Sequence, residues 1–369
     1  MKKILLISNM YPSKNNKHYG IFVKNVEELL KSNGYNVDKV IMYKTNNKVI
    51  KLLNYILFHL KVIFKGLFFK YDYLYVHFVS HSSLGAVFVK KIKKNIKLIL
   101  NCHGNDVIKD LEEEKNNVIR SHKYIKYADI VVVPSNYFKN EVIKEYNIAE
   151  SKIFIYPSGG VNTNLFVKKD KLECRQKMKL LNNYKYIGFV SRIEKNKGWD
   201  IFLKAIKELE EKNKIDNMRF LIIGSGEEKN KMNKMIENLD ISKYIDIHDM
   251  VYQQDLVSIY NSIDIFVLSS YRKESLGLVG LEAMACETLV ITGNKYGPTD
   301  YMKDKVNGFT FESGNYKDLV NKIIEIEKIS EKEINNIKKE ARITALDYDI
   351  NKTKDKILEV FKWKQQLLF

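Results

Sequence analysis

The stretch ESLGLVGLEAMAC, Glu274 to Cys286, sets two carboxylates eight positions apart around a glycine-bearing segment that opens a helix. Free N–H groups at a helix start hold an anion, and Gly277 lets a ligand approach the backbone closely. The run IDIFVLSS reads as a strand, YRKE as its loop and SLGLVGLEAMA as the helix. Glu274 then faces the bound anion from the loop. Glu282, about two turns along the helix, can accept hydrogen bonds from a diol such as a ribose. A diphosphate joined to sugars at both ends meets all of these features.

Three further groups fall at strand ends. In SRIEKNKGW, after the strand YIGFV, Arg192 and Lys197 precede a helix beginning near Trp199. An arginine fork with a lysine point charge suits two adjacent phosphates. Fixed cations also stabilise the charge that grows on a departing phosphate, or they form an ordinary solvated basic turn. In NCHGNDV, His103 follows the strand IKLIL beside Gly104 and Asp106, where a structural histidine is the alternative to a site residue. In SNMYPSKNNKHYGIFVKNVEELL, Gly20 offers backbone N–H groups near a helix start, another phosphate contact.

These groups need a scaffold that brings strand ends together. Short apolar runs alternate with helical patterns: KILLIS, YLYVHF, IKLILNC, DIVVVPS and KIFIYPS, then YIGFVS, RFLIIGSG, IDIFVLSS and TLVIT. Continuous β-branched and aromatic runs suit parallel strands covered on both faces, so the pattern predicts two doubly wound α/β sheets in tandem. A chain of 369 residues fits two cores. The charged stretch 167–186 interrupts the alternation and is read as the junction. Pro12, Pro134, Pro157 and Pro298 all lie near strand ends, on the side where open α/β sheets bind ligands.

Composition narrows the function. Cys102, Cys174 and Cys286 are widely spaced, with no CxxC pair, which argues for core thiols in a reducing compartment rather than a zinc or disulfide framework. No run of 18 apolar residues is present, and the start MKKILLISNMYPS is too short in its apolar part for a signal peptide. The net charge of +17 suggests a polyanionic partner. Only six of 62 basic residues are arginine, and no arginine and aromatic cluster marks a nucleic-acid reader, so an anionic membrane surface is preferred. The segment Lys48 to Lys70 is apolar on most sides and studded with lysines. It is either an interfacial helix or an ordinary packed helix with snorkelling lysine stems.

With these residues in hand, the chain resembles the family 4 retaining glycosyltransferases of GT-B fold over nearly its whole length. ESLGLVGLEAMAC looks like that family's Glu–seven residues–Glu motif, and SRIEKNKGWDIFLKAI like its diphosphate segment. FLIIGSGEE, YPSGGVNTNLF, IVVVPSNYFKNEV and GPTDYMKDKVNGF match its usual blocks in order. MYPSKNNKHYGIFV and HGNDV look closest to members that assemble bacterial cell-surface polysaccharides. The resemblance implies an N-terminal acceptor-side domain, 1–166 with a returning helix at 350–369, and a donor domain, 167–349, facing it across a cleft. It implies that Arg192 and Lys197 bind the donor diphosphate and Glu282 the ribose. Glu274, with backbone at Gly277, Leu278 and Val279, would contact donor sugar and phosphates; His103 would lie beside the reacting sugar, Gly20 near the diphosphate and Asp106 on the acceptor side. No bound metal or other cofactor is expected, the nucleotide diphosphate sugar being the donor substrate. The sequence departs from the family pattern at Ser191, Ser269, Asp249 and in the run Ala285 to Val290.

The expected reaction is hexosyl transfer to a lipid-linked or growing saccharide, in the cytoplasm at the inner membrane face. A sugar-nucleotide epimerase or phosphorylase on the same fold, and a non-enzymatic basic peripheral membrane protein, are the alternatives. A dinucleotide oxidoreductase has less support, since GSGEEK lacks the third glycine of GxGxxG.

Overall fold

The computed structural model describes residues 2–14, 16, 19–249 and 251–362. The chain divides into two compact units, Met1–Gly159 with Asn351–Phe369, and Gly160–Ile350. The division falls ahead of the charged stretch 167–186, because residues 160–166 are built into the second unit. There Val161 N–H bonds the Tyr348 carbonyl at 2.8 Å, the Thr163 hydroxyl donates to Asp349 at 2.5 Å, and Phe166 is fully buried.

In the first unit, strands β1 (Lys3–Ser8), β2 (Asn36–Ile41), β3 (Tyr73–His77), β4 (Lys97–Asn101), β5 (Ile130–Val133) and β6 (Ile153–Ile155) form one sheet. The order is β2-β1-β3-β4-β5-β6 and every pairing is parallel. The second unit holds β7 (Lys185–Val190), β8 (Met218–Ile223), β9 (Ile245–His248), β10 (Ile265–Leu268), β11 (Leu289–Gly293) and β12 (Phe309–Phe311). Their order is β12-β11-β10-β7-β8-β9, again all parallel. The central strands are apolar on both faces because helices cover both faces, so Leu5 and Ile7 enter one core layer and Ile4 and Leu6 the other. The three cysteines are buried and free.

The helix Ile350–Lys362 returns to the first unit and places Ile357, Leu358, Val360 and Phe361 against Tyr73 and Tyr75. The Tyr73 hydroxyl donates to the Phe361 carbonyl at 2.5 Å. The rest of the returning helix expected at 363–369 lies outside the described residues.

Each sheet has one place where strand order reverses: between β1 and β3 in the first, between β7 and β10 in the second. Helices leave such neighbouring strands toward opposite faces, which opens a crevice at their carboxyl ends. In the second unit the loops after β7 and β10 are in backbone contact there. Gly198 has φ +83°, and a Cβ on it would lie 2.0 Å from the Ser269 carbonyl oxygen. The Ser269 hydroxyl donates back to the Gly198 carbonyl at 2.8 Å, and the N–H groups of Tyr271 and Arg272 both bond the Asn196 carbonyl.

Gly34 also has positive φ, +82°, but with open space around it. Gly34→Ala should therefore cost only the left-handed strain, about 1 kcal/mol, whereas Gly198→Ala should cost clearly more, since backbone must move as well. Urea unfolding midpoints of the two variants measure the difference.

Candidate functional site

Two clusters of chemistry-bearing side chains stand at the two switch points, one in each unit. In the second unit, Lys197 leaves β7 and Glu274 leaves β10, and their side chains meet at 2.5 Å. Both are mostly buried, and Ser270 Oγ donates to the same carboxylate at 3.1 Å. Burial pushes the Glu274 carboxyl upward, but the neighbouring Lys197 charge and the bonds from Lys197 and Ser270 outweigh it, so the group is held below its ordinary range. An ion pair this sheltered keeps its geometry because breaking it strands a charge. Arg192 lies on the same loop with its side chain 61% exposed, bonded to Glu194 at 2.7 Å. It is the exposed cation of the two and Lys197 the buried one.

After Glu274 the chain makes a turn that ends at Gly277, φ +82°, and the helix runs Leu278–Ala285. The helix is shorter than the sequence suggests, because Gly277 takes the left-handed conformation and Ser275 to Gly277 form the turn. Glu282 is consequently about one turn into the helix rather than two. No side chain caps this helix, so the first N–H groups, at Leu278 and Val279, have no intrahelical acceptor. Tyr301 fixes the turn by donating to the Gly277 carbonyl at 2.9 Å. A Cβ on Gly280 would lie 2.4 Å from that hydroxyl, so the second glycine of the motif serves packing.

Glu282 is 7% exposed and accepts from Gln253 Nε2 at 2.9 Å and the Tyr260 hydroxyl at 3.2 Å. Burial raises its carboxyl to about 7 against the pull of those two bonds. Its remaining lone pairs are available to a diol. Asp249, a departure from the family pattern, ion-pairs with Lys229 and accepts from Ser225.

The glycines of GSGEEK have a packing role. A Cβ at Gly224 would stand 2.0 Å from the Ser191 carbonyl oxygen, and one at Gly226 2.3 Å from that of Ile193. Ile193 N–H bonds the Ser225 carbonyl, and Trp199 Nε1 donates to Glu228 at 3.1 Å. The loop after β8 thus braces the loop carrying Arg192 and Lys197.

In the first unit, Gly20 caps the helix Ile21–Ser32 with φ +75°, and no side chain caps that helix. A Cβ there would meet Met10 backbone at 2.6 Å, so only glycine closes this turn. Phe22, two residues on, packs on His103 with ring centroids 4.5 Å apart. Asp106, expected on the acceptor side, is fully buried and has no surface for an acceptor. Its carboxylate accepts from the N–H groups of His103, Gly104 and Val79, at 2.9, 2.9 and 2.8 Å. It ties the loop after β4 to the helix after β3 and positions His103. Phe78 sits between with φ +65°, a strained conformation for an aromatic residue that Asp106 stabilises through Val79 N–H.

His77 is the residue the sequence did not single out. It ends β3 with its side chain almost fully buried, and its Nδ1 lies 3.1 Å from His103 Nε2. Burial holds both imidazoles neutral, His103 down to about 4 and His77 well below its ordinary value, the latter helped by the repulsion of a charge on His103. His77 Nε2 is buried without a hydrogen-bond partner. An orphaned lone pair costs less than an orphaned N–H, which assigns the shared proton to His77 Nδ1. His103 is thereby an acceptor at Nε2 and a donor at Nδ1. The signal was present in YLYVHF as a polar residue ending a buried strand, paired with a second histidine at the end of the next strand.

Two doubly wound parallel sheets, each with chemistry at its switch point, define the GT-B class of fold. The sequence matches the family described as Glycosyltransferase Family 4 over residues 21–164 and that described as Glycosyl transferases group 1 over 170–344, and the chain belongs to these glycosyltransferases. It is 32% identical over 200 residues to the capsular polysaccharide biosynthesis glycosyltransferase CapM of Staphylococcus aureus, covering 53% of this chain and 51% of that protein. Its matches span 45% to 65% of the length of three curated relatives, CapM among them. Sucrose-phosphate synthase from Thermosynechococcus elongatus superposes with a TM-score of 0.78 at 16% identity, over 98% of each chain. Anabaena HepE in complex with UDP-glucose gives 0.74 at 18%, over 98% of this chain and 100% of that one.

Two measurements test these assignments. A carboxyl that ionises near 4.5 when unfolded and near 7 when folded destabilises the fold progressively as pH rises through that window. Glu282→Gln removes this penalty, so its melting temperature should gain on the native protein from about pH 5 to about pH 8, by the equivalent of ~3 kcal/mol. For His77, nitrogen-15 NMR of labelled histidine should show His103 protonated at Nδ1. His77→Asn, which keeps a donor at that place, should preserve this tautomer, and His77→Phe should lose it.

Proposed function

We propose that the protein is a retaining, nucleotide-sugar-dependent hexosyltransferase that needs no bound metal. Its acceptor is a lipid-linked or growing surface saccharide, and it works in the cytoplasm at the inner face of the cell membrane. The observation that carries the reading is the Lys197–Glu274 pair beside the uncapped helix at Gly277, at the crevice of the β7 and β10 switch point. A diphosphate there takes N–H bonds from Leu278 and Val279 and charge from Lys197. Arg192, exposed and able to swing from Glu194, closes on the same group. Glu282 receives the ribose hydroxyls. HepE, a structural neighbour, was solved with UDP-glucose, which supports a uridine or similar nucleotide donor without fixing the sugar. CapM, whose name assigns it to capsular polysaccharide biosynthesis, supports the acceptor class.

In the reaction the bond from the anomeric carbon to the diphosphate oxygen breaks first. The guanidinium and ammonium neutralise the charge left on the diphosphate, which lowers the barrier as a metal does in other sites. The acceptor oxygen then bonds to the same face of the sugar, and its proton passes to the departing phosphate oxygen. Glu274 is not free for covalent catalysis, since Lys197 and Ser270 hold its carboxylate. His103, neutral and a donor at Nδ1, suits a hydrogen bond to a sugar hydroxyl, not general-acid work at neutral pH. Neither the epimerase nor the phosphorylase alternative has an observation in its favour.

Arg192→Ala should lower turnover at saturating donor by roughly 100-fold or more, while UDP or GDP still raises the melting temperature of the variant. Native turnover in that variant would count against the scheme.

A further inference from the structure

The helix Lys48–Phe68 packs into the first unit through Phe58, Val62 and Gly66. It packs closely against the next helix, Val79–Ile92: a Cβ on Gly85 would lie 3.0 Å from the His59 carbonyl oxygen, and one on Gly66 2.6 Å from Val89. The helix is thus packed, as the ordinary reading of the segment expects, but packing uses only one of its faces. Val49, Leu53, Ile56, Leu60, Phe64 and Phe68 recur at spacings of three and four, so they share one face, and each is between 50% and 73% exposed. The neighbouring helix adds Leu84, Phe88 and Ile92, between 47% and 57% exposed. Scattered exposed leucines need no explanation, but an aligned stripe of this length does.

Charge identifies what covers it. Between Asp38 and Asp106 the chain carries twelve lysines and a single acidic residue, Asp72. Lys48, Lys51, Lys61, Lys70 and Lys94 are exposed and form no ion pair among the described residues. On a helical projection the lysines of the first helix lie beside and behind the apolar stripe, not within it. A second copy of the chain is a poor occupant, because a two-fold contact would set these lysines against one another. Among the described residues no helix is long and apolar enough to cross a membrane, so the stripe lies along a surface.

We propose that this two-helix face is a docking surface for an anionic lipid bilayer. The stripe enters the boundary between headgroups and acyl chains, and the flanking lysines contact lipid phosphates. The inference rests on the proposed reading for its purpose, since an enzyme with a lipid-linked acceptor must work where that lipid lies.

Flotation of the full chain with phosphatidylglycerol–phosphatidylcholine vesicles tests it. The protein should float with these vesicles, remain behind with pure phosphatidylcholine, and detach partly as salt rises. Leu57→Glu with Leu60→Glu, both at exposed positions, should reduce binding by at least about 100-fold, and Lys51→Gln or Lys61→Gln about fivefold each. The UDP- or GDP-induced rise in melting temperature should be the same in all of these variants, which separates failure of the surface from failure of the site. Equal flotation with neutral and anionic vesicles would overturn the proposal. So would unchanged binding by the double glutamate variant, or a lipid-free dimer that this variant dissociates.

Discussion

A lysine and a glutamate from different strands, joined at the place where strand order reverses, fix the geometry of the second unit's site. Lys197 and Glu274 are both mostly removed from water, and neither is tolerable there without the other. Their pairing sets the relation of the loop after β7 to the loop after β10. Around it the backbone is held at contact distance by Gly198 against Ser269, and the loop after β8 braces it through Gly224 and Gly226. The uncapped helix at Gly277 is thereby oriented toward the same crevice. A charge pair that is structural before a ligand arrives supplies preorganisation. Lys197 is thereby held in place, while Arg192 on the same loop stays exposed.

The first unit follows the same plan with different chemistry. Its switch point lies between β1 and β3, where Gly20 and Phe22 follow β1 and His77 ends β3. His103 enters from β4, held by Asp106 below and by His77 at its side. The two switch points thus differ: one carries a buried ion pair beside an uncapped helix start, the other a pair of neutral imidazoles.

What the sequence revealed follows from how each element is buried. Strands covered on both faces, such as KILLIS, YIGFV and IDIFV, show as apolar runs. β2, β9 and β12 escaped notice because they lie at or beside sheet edges, where NVDKVI, IDIH and FTF are half exposed, polar or very short. Candidate site residues stood out where a motif fixes backbone and side chain together, as in Glu274 to Glu282. The start of that helix was misplaced because the conformation of Gly277 depends on Tyr301 and Pro298, which are distant in sequence. The burial of Asp106, expected on the acceptor side, was not legible because its three N–H partners come from two separate segments. His77 was hidden because a histidine ending a strand means little until the adjacent strand places a second one beside it. Periodicity located the apolar residues of the helix 48–68, but only the packing of Gly66 and Gly85 decided which face stays uncovered.

The helix Ile350–Lys362 has a consequence for how the molecule comes into being. Its residues Ile357, Val360 and Phe361 fill one layer of a core whose other members, among them Tyr73 and Tyr75, are synthesised far earlier. During translation, the earlier half of the chain therefore waits with an unfilled apolar layer while the second unit, continuous from Gly160 to Ile350, has everything required to collapse on itself. The unit made second is positioned to mature first, and the nascent first unit is the stretch most in need of a chaperone.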